Sequence, residues 1–120
     1  MSNDYFFAPD LVGEIQIPEK GMVSRTLQND DHSKIVLFGF AAGGGMRDHR
    51  AAMPVILHFL SGEGILIAGG DRLDVGPGAF SRMSAQLSHS IDARTPMVHA
   101  IGSAQGRARP VSGKTPKLRH

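Results

Sequence analysis

The apolar residues of this chain fall in short runs of four to seven, and turn signals that contain Gly or Pro separate the runs. No segment keeps the apolar period of 3.6 residues that marks an amphipathic helix. Short apolar runs between closely spaced turns are typical of an all-β sandwich or barrel. The pattern predicts strands near residues 13–17, 22–27, 34–41, 54–60, 64–68, 72–75, 79–84, 88–93 and 96–101. Turns are predicted at 29–31, 42–45, 61–64, 69–71, 76–78 and 92–96.

Length and composition favour one soluble domain. The chain has 120 residues, of which 41% are hydrophobic and 20% are charged. No apolar run approaches the ~20 residues that span a bilayer. The first ten residues carry acids and aromatics instead of a basic region followed by an apolar stretch, so they do not read as a secretory signal. The absence of cysteine excludes a disulfide framework and suits the cytoplasm, where we expect the protein, without membrane contact.

The basic charge is concentrated at the C-terminal end. Five of the 13 Lys and Arg residues lie in 103–120, which has no acid, while 1–102 hold all 11 Asp and Glu against the other eight. A fold that binds nucleic acid normally carries a basic face within the domain, so a nucleic-acid partner is not expected. We interpret the chain as an N-terminal arm with edge strands (1–33), a barrel (34–102) and a basic, solvated tail (103–120).

Two predicted strands are apolar on both faces. In 35–40 and in 55–60 nearly every position is apolar, whereas an antiparallel strand with one wet face should alternate apolar and polar residues. Something must therefore cover the second face. The N-terminal arm or a second subunit could do so, and we favour a homodimer because about 30 residues can hardly cover a whole sheet.

Two segments combine a Gly-rich turn with a β-like run and a histidine. In the first, His49 follows Gly43 by six residues, and Gly62 comes thirteen residues after His49. In the second, Pro77 and a turn precede His89. This spacing resembles the two motifs of the cupin family, which are small jelly-roll barrels that hold a metal or a small molecule inside. The resemblance covers roughly 34–102 and implies an all-β double-stranded β-helix, close to small, single-domain, RmlC-like bacterial cupins.

The resemblance is incomplete at the metal-binding positions. Ala51 stands where the first motif has its second histidine, and Val55 stands where it has its glutamate. Only His49 and His89 occupy ligand positions of the family. Many of the small cupins that carry a lone histidine in the first motif have no assigned reaction. The leading hypothesis is therefore a protein that binds or senses a small molecule in an interior pocket, with no catalytic residue assigned.

The pocket is predicted from strand parity. Residues that share one face of an extended chain alternate along it, and in a cupin the face that includes residue 49 is the interior. Parity groups His49 with Val55, Leu57 and Phe59 as one wall, and the second motif supplies His89. Met83, Ile91 and His99 could lie on the opposite wall and complete the predicted pocket.

The alternative is a metal-dependent enzyme of the dioxygenase or isomerase type. His49 and His89 would hold a divalent transition metal such as Fe, Mn, Ni or Zn. A third ligand could come from His99, and Gln86 or Asp48 could add an oxygen donor. A catalytic metal site usually has three protein ligands, so the second hypothesis depends on that third group.

Overall fold

The computed structural model describes residues 5–104. Within them lie one short 3-10 helix, Val12–Glu14, and nine strands. The strands are β1 Met22–Asn29, β2 Ser33–Phe40, β3 Gly45–His49, β4 Val55–Ser61, β5 Gly64–Ala68, β6 Asp71–Val75, β7 Phe80–Met83, β8 His89–Ala93 and β9 Met97–Ala104. The basic tail predicted for 103–120 lies, beyond residue 104, outside the described part of the chain. No helix in the described part is long and apolar enough to cross a membrane.

The strands form two antiparallel sheets. The five-stranded sheet has the order β1-β2-β9-β4-β7, and the four-stranded sheet has the order β3-β8-β5-β6. Most strands that pair are far apart in sequence; β9, for example, pairs with β2 and with β4. The two sheets enclose a common interior. The predicted all-β jelly roll is confirmed.

The interior is filled by alternate residues of the strands. In β4 the side chains of Val55, Leu57 and Phe59 are buried, while the intervening Ile56 and His58 are exposed. This period of two is what a strand with one core-facing side requires. Inward residues from both sheets, including Leu66 and Ile91, complete one cluster of buried hydrophobic residues. The exposed position of His58 agrees with its parity in the sequence.

The strand predicted at 13–17 is wrong. The chain instead makes the 3-10 turn, closed by hydrogen bonds from the Gly13 N–H to the Asp10 carbonyl (3.1 Å) and from the Glu14 N–H to the Leu11 carbonyl (3.0 Å). Ile15 and Ile17 then pack on the outer face of β2, where a Cβ placed on Gly39 would lie 3.6–3.7 Å from their side chains. These two isoleucines are partly buried by packing on β2 without pairing with a strand. In the sequence, their alternation looks the same as that of a strand.

The sequence pattern predicts a turn at 42–45 and no strand where the structure has β3. Gly45, Arg47, Asp48 and His49 are exposed and Met46 is partly buried, so β3 shows none of the apolar alternation by which strands are recognised. It is an edge strand that pairs with β8 on one side only. Hydrogen bonds to β8, instead of burial of its own side chains, hold it in the sheet.

The outer face of the five-stranded sheet is partly covered. Leu37 and Val98 point away from the core and are nevertheless fully buried. The N-terminal arm runs over this region, with Ile15 and Ile17 on Gly39 and the Arg25 guanidinium donating to the Glu14 carbonyl (2.7 Å). The arm is thus one of the two covers that the apolar pattern required. It leaves Ile56 and Phe80 exposed on the same face.

Candidate functional site

The two motif histidines lie next to each other. His49 ends β3, His89 begins β8, and the two are register partners in the four-stranded sheet. Their ring centroids are 5.3 Å apart and the planes meet at 86°, an edge-to-face contact. A β-bulge between Met46 and His49 shifts the register just before this pair. Such irregularities re-aim side chains at the rims of barrels.

The two rings differ in exposure. His49 is exposed, whereas His89 keeps only 2% of its surface accessible. His89 shares its strand face with Ile91, which belongs to the core cluster. The pair therefore runs from solvent at His49 to the interior at His89, as expected of groups at the mouth of a barrel.

The loop before His89 is braced by residues that the sequence did not single out as a pair. The Arg50 guanidinium donates to the Gln86 carbonyl (3.0 Å), and the Gln86 N–H donates to the Ala51 carbonyl (2.8 Å). Gln86 has a φ of 69°, which is uncommon for a residue other than glycine. The side chain of Arg50 thus holds this loop in place. Its contact with a carbonyl 36 residues away has no local sequence signal.

His99 lies deeper, in an aromatic setting. It belongs to β9 and is register partner of Phe38 on β2 and of Phe59 on β4. Its ring stacks with those of Phe38, Phe59 and Phe40 at centroid distances of 5.2, 5.3 and 5.5 Å. The side chain of His99 is 0% exposed.

The four ring nitrogens of His89 and His99 are buried without a hydrogen-bond partner among the described residues. Burial lowers the pKa of His99 to about 4, and the nearby His89 acts in the same direction. Burial also lowers the pKa of His89, with a smaller contribution from His49. The Leu87 backbone offsets part of that shift, although no contact with it reaches hydrogen-bond geometry. Both rings are consequently neutral at pH 7, and each can donate one hydrogen bond and accept one.

The remaining predicted pocket residues lie in the core cluster. Val55, Leu57, Phe59, Met83 and Ile91 are all buried there. They pack against one another on the inward faces of β4, β7 and β8, and Met46, Ala51 and Leu87 pack partly buried against the cluster. Their role as the wall of a binding pocket stays a prediction.

The described residues do not fit a protein-bound metal. No group of three or more His, Cys, Asp or Glu side chains between residues 5 and 104 is arranged to hold one. His49 and His89 lie together, but no third His, Cys, Asp or Glu between residues 5 and 104 is grouped with them. An open transition-metal site usually needs three protein ligands, and this set offers two.

Solved structures with the same architecture decide the family of folds. A cupin superfamily protein from Desulfitobacterium hafniense superimposes with a TM-score of 0.74 at 21% identity, over 79% of this chain and 87% of that one. An RmlC-like cupin from Desulfovibrio desulfuricans gives 0.74 at 21% identity, over 83% and 97%. This chain has the cupin fold. A conserved protein of unknown function from Streptococcus pyogenes gives 0.76 at 22% identity, over 88% and 92%.

The comparison of sequences gives no closer assignment. No family model matches this chain, and no curated protein matches it. The resemblance to cupins inferred from the glycine and histidine spacing is thus confirmed for the fold by small bacterial cupins that cover most of the chain.

Proposed function

We propose that this cupin binds a small organic molecule at the mouth of its barrel, where His49, His89 and His99 supply the polar contacts. The observation that carries the proposal is the set of four buried ring nitrogens without partners on His89 and His99. A buried polar group left without a hydrogen bond costs about 1–3 kcal/mol. A group from outside the described residues, such as a ligand atom or an ordered water, would remove that cost.

The surroundings indicate the chemistry of the ligand. Phe38, Phe40 and Phe59 around the ring of His99 favour a flat, apolar body. The neutral imidazoles favour a hydroxyl or carbonyl group that exchanges hydrogen bonds with them. Mouths of β-barrels with apolar walls and a few polar groups are common ligand sites. We therefore expect a small aromatic or alicyclic molecule that carries at least one oxygen.

The test is a titration followed at the histidine rings. The protein, with 15N in its histidines, is titrated at pH 7.5 with phenol, benzoate and cyclohexanol as probes. We expect at least one probe to shift the ring nitrogens of His89 and His99. The shift should be lost in His89→Phe and kept in the matched control His58→Phe, because His58 is exposed on the outer face. Probes that move only surface signals distant from β8 and β9 would contradict the proposal.

The metal-dependent enzyme is the competing hypothesis and is tested by elemental analysis of the dialysed protein. Two adjacent imidazoles support only a weak site, so we expect less than about 0.1 transition-metal ion per chain. Stoichiometric metal that disappears in both His49→Ala and His89→Ala would replace the metal-free proposal with the enzyme hypothesis.

A further inference from the structure

A groove of about 440 Å³ lies on the outer face of the five-stranded sheet, away from the histidine site. Its floor is Gly102 on β9, whose register partners are Ile35 on β2 and Ile56 on β4. A Cβ placed on Gly102 would lie 3.3 Å from the Ile56 side chain, so the missing side chain creates the notch between the two isoleucines. With neighbouring strands about 4.8 Å apart, the two isoleucines stand roughly 10 Å apart, the width of one aromatic side chain in van der Waals contact with both.

The rim of the groove is basic. Arg82, Lys34 and His32 are among its lining residues, and no Asp or Glu is. Arg82 is the register partner of Ile56 on the far side, so its guanidinium extends the row that begins at Ile35. Neither Arg82 nor Lys34 forms an ion pair with any residue between 5 and 104. The groove thus suits an apolar group that is flanked by negative charge.

The N-terminal arm carries a segment of that kind. Tyr5 and Phe7 are 85% and 73% exposed, and Phe6 between them is also exposed. Residues 1–10 contain Asp4 and Asp10 and no Lys or Arg. Three consecutive exposed aromatic residues between acids match the notch in size and the rim in charge. Among residues 5–104, however, nothing covers either the aromatics or the groove.

We propose that the aromatic segment Tyr5–Phe7 of one copy of this chain docks in the Gly102 groove of a second copy, and reciprocally. The arm is fixed to its own sheet by Ile15, Ile17 and the Arg25–Glu14 pair. The stretch before the 3-10 helix, residues 5–10, spans up to about 20 Å when extended, enough to reach across to a neighbour. A reciprocal exchange closes as a two-fold dimer and covers the second apolar face in a symmetric way. Opposite charges on the arm and the rim would select this register.

Sedimentation equilibrium of the full chain at pH 7.5 tests the dimer. We expect a dimer at micromolar concentration. Phe7→Ser and Arg82→Glu should each raise its dissociation constant about tenfold or more, since aromatic and arginine side chains dominate interface energies. The matched control is Leu73→Ser, which removes an exposed apolar side chain from β6 on the other sheet and should leave the constant unchanged. A monomer at 100 µM, or a dimer that none of these changes weakens, overturns the proposal.

Cross-linking identifies the contact directly because the chain has no cysteine. Protein with Ala8→Cys is mixed with protein with Ser33→Cys, a groove position, and treated with a short bismaleimide. The expected product is the mixed dimer, while Asp71→Cys in place of Ser33→Cys should give none above background. Equal yields with both partners overturn the proposed docking. So does cross-linking that occurs only within a single chain carrying both Ala8→Cys and Ser33→Cys.

Discussion

Replacing His99 with phenylalanine should remove much of the acid sensitivity of this fold. The imidazole of His99 is fully buried between three phenylalanine rings, and burial lowers its pKa to about 4. In the unfolded chain the pKa returns to about 6.5. The unfolded state therefore binds a proton more readily, so His99 makes folding less favourable as the pH falls from 6.5 towards 4.

The size of the effect follows from the two pKa values. At pH 7.5 both states are almost fully deprotonated and the contribution of His99 to the pH dependence is close to zero. At pH 5 the unfolded chain is mostly protonated at this position while the folded chain is not, which costs about 2 kcal/mol. At pH 4 the cost reaches about 3 kcal/mol. His99→Phe abolishes this contribution because phenylalanine does not titrate.

The assay is urea unfolding of both proteins at pH 7.5 and pH 5. We expect the unfolding free energy of the parent protein to fall by about 2 kcal/mol more than that of His99→Phe between these pH values. The comparison uses the difference in slope, so a constant packing cost of the larger ring cancels. His89 and the acidic residues contribute to both proteins alike. Equal pH slopes would show that His99 is already protonated or solvated in the folded state, and the reasoning would then be wrong.

Three further predictions concern the core, a turn and the surface, and all are read out by urea unfolding at pH 7.5. Phe59→Ala should cost about 3–5 kcal/mol because it empties the inward face of β4, whereas Ile56→Ala on the outward face should cost less than half as much. Gly62→Ala should cost more than about 3 kcal/mol or prevent folding, because φ is +81° and the added Cβ would collide with the Pro96 carbonyl. Gly70→Ala, with an unfavourable φ of +130° but no neighbour within 4 Å, should cost less, about 1–3 kcal/mol. Arg94→Ala should change stability by less than about 0.5 kcal/mol, since its 3.4 Å pair with Asp74 is solvent-exposed. Equal losses of unfolding free energy for Phe59→Ala and Ile56→Ala would contradict the first prediction. An unchanged stability of Gly62→Ala would contradict the second, and a loss above about 1 kcal/mol in Arg94→Ala would contradict the third.

Much of the fold could be predicted because burial imposes a simple period on the sequence. Strands β4 and β5 are internal strands of their sheets, with a neighbour on each side, and their apolar runs identify them in the sequence. The Gly69-Gly70 signal was also sufficient, since Ala68 and Asp71 are register partners around that two-residue turn. Such features depend on residues that are close in sequence.

The predictions fail where the structure depends on contacts between residues that are far apart in sequence. Strand β3 exists because β8 offers it an edge, and its own residues are mostly exposed. Ile15 and Ile17 alternate like a strand, yet they cover Gly39 without joining a sheet. The hydrogen bond from Arg50 to the Gln86 carbonyl could not be predicted for the same reason. Nothing in the sequence near one of these residues points to the other.

Only part of the geometry of the candidate site follows from the sequence. Strand parity groups His49 with Val55, Leu57 and Phe59, but only the pairing of β3 with β8 brings His49 beside His89. The stacking of His99 on three phenylalanines depends on which strands pair with β9 on its two sides. No spacing within one strand carries that information.

Ligand binding and folding should depend on protonation of the same buried histidines, over different ranges of pH. A charge on His49 lowers the pKa of His89, and a charge on His89 lowers the pKa of His99, while burial acts on both inner rings in the same direction. The unligated fold therefore keeps these rings neutral, and a ligand that uses an imidazole nitrogen as acceptor loses that contact if the nitrogen takes a proton. Stability should therefore decline as the pH falls below about 6.5, where the unfolded chain takes up the proton. Affinity for such a ligand should hold until the pH approaches the lower folded-state pKa values of the buried rings, about 4 for His99. In His99→Phe the decline in stability becomes shallower, and a decline in affinity that remains in acid is then assigned to His89.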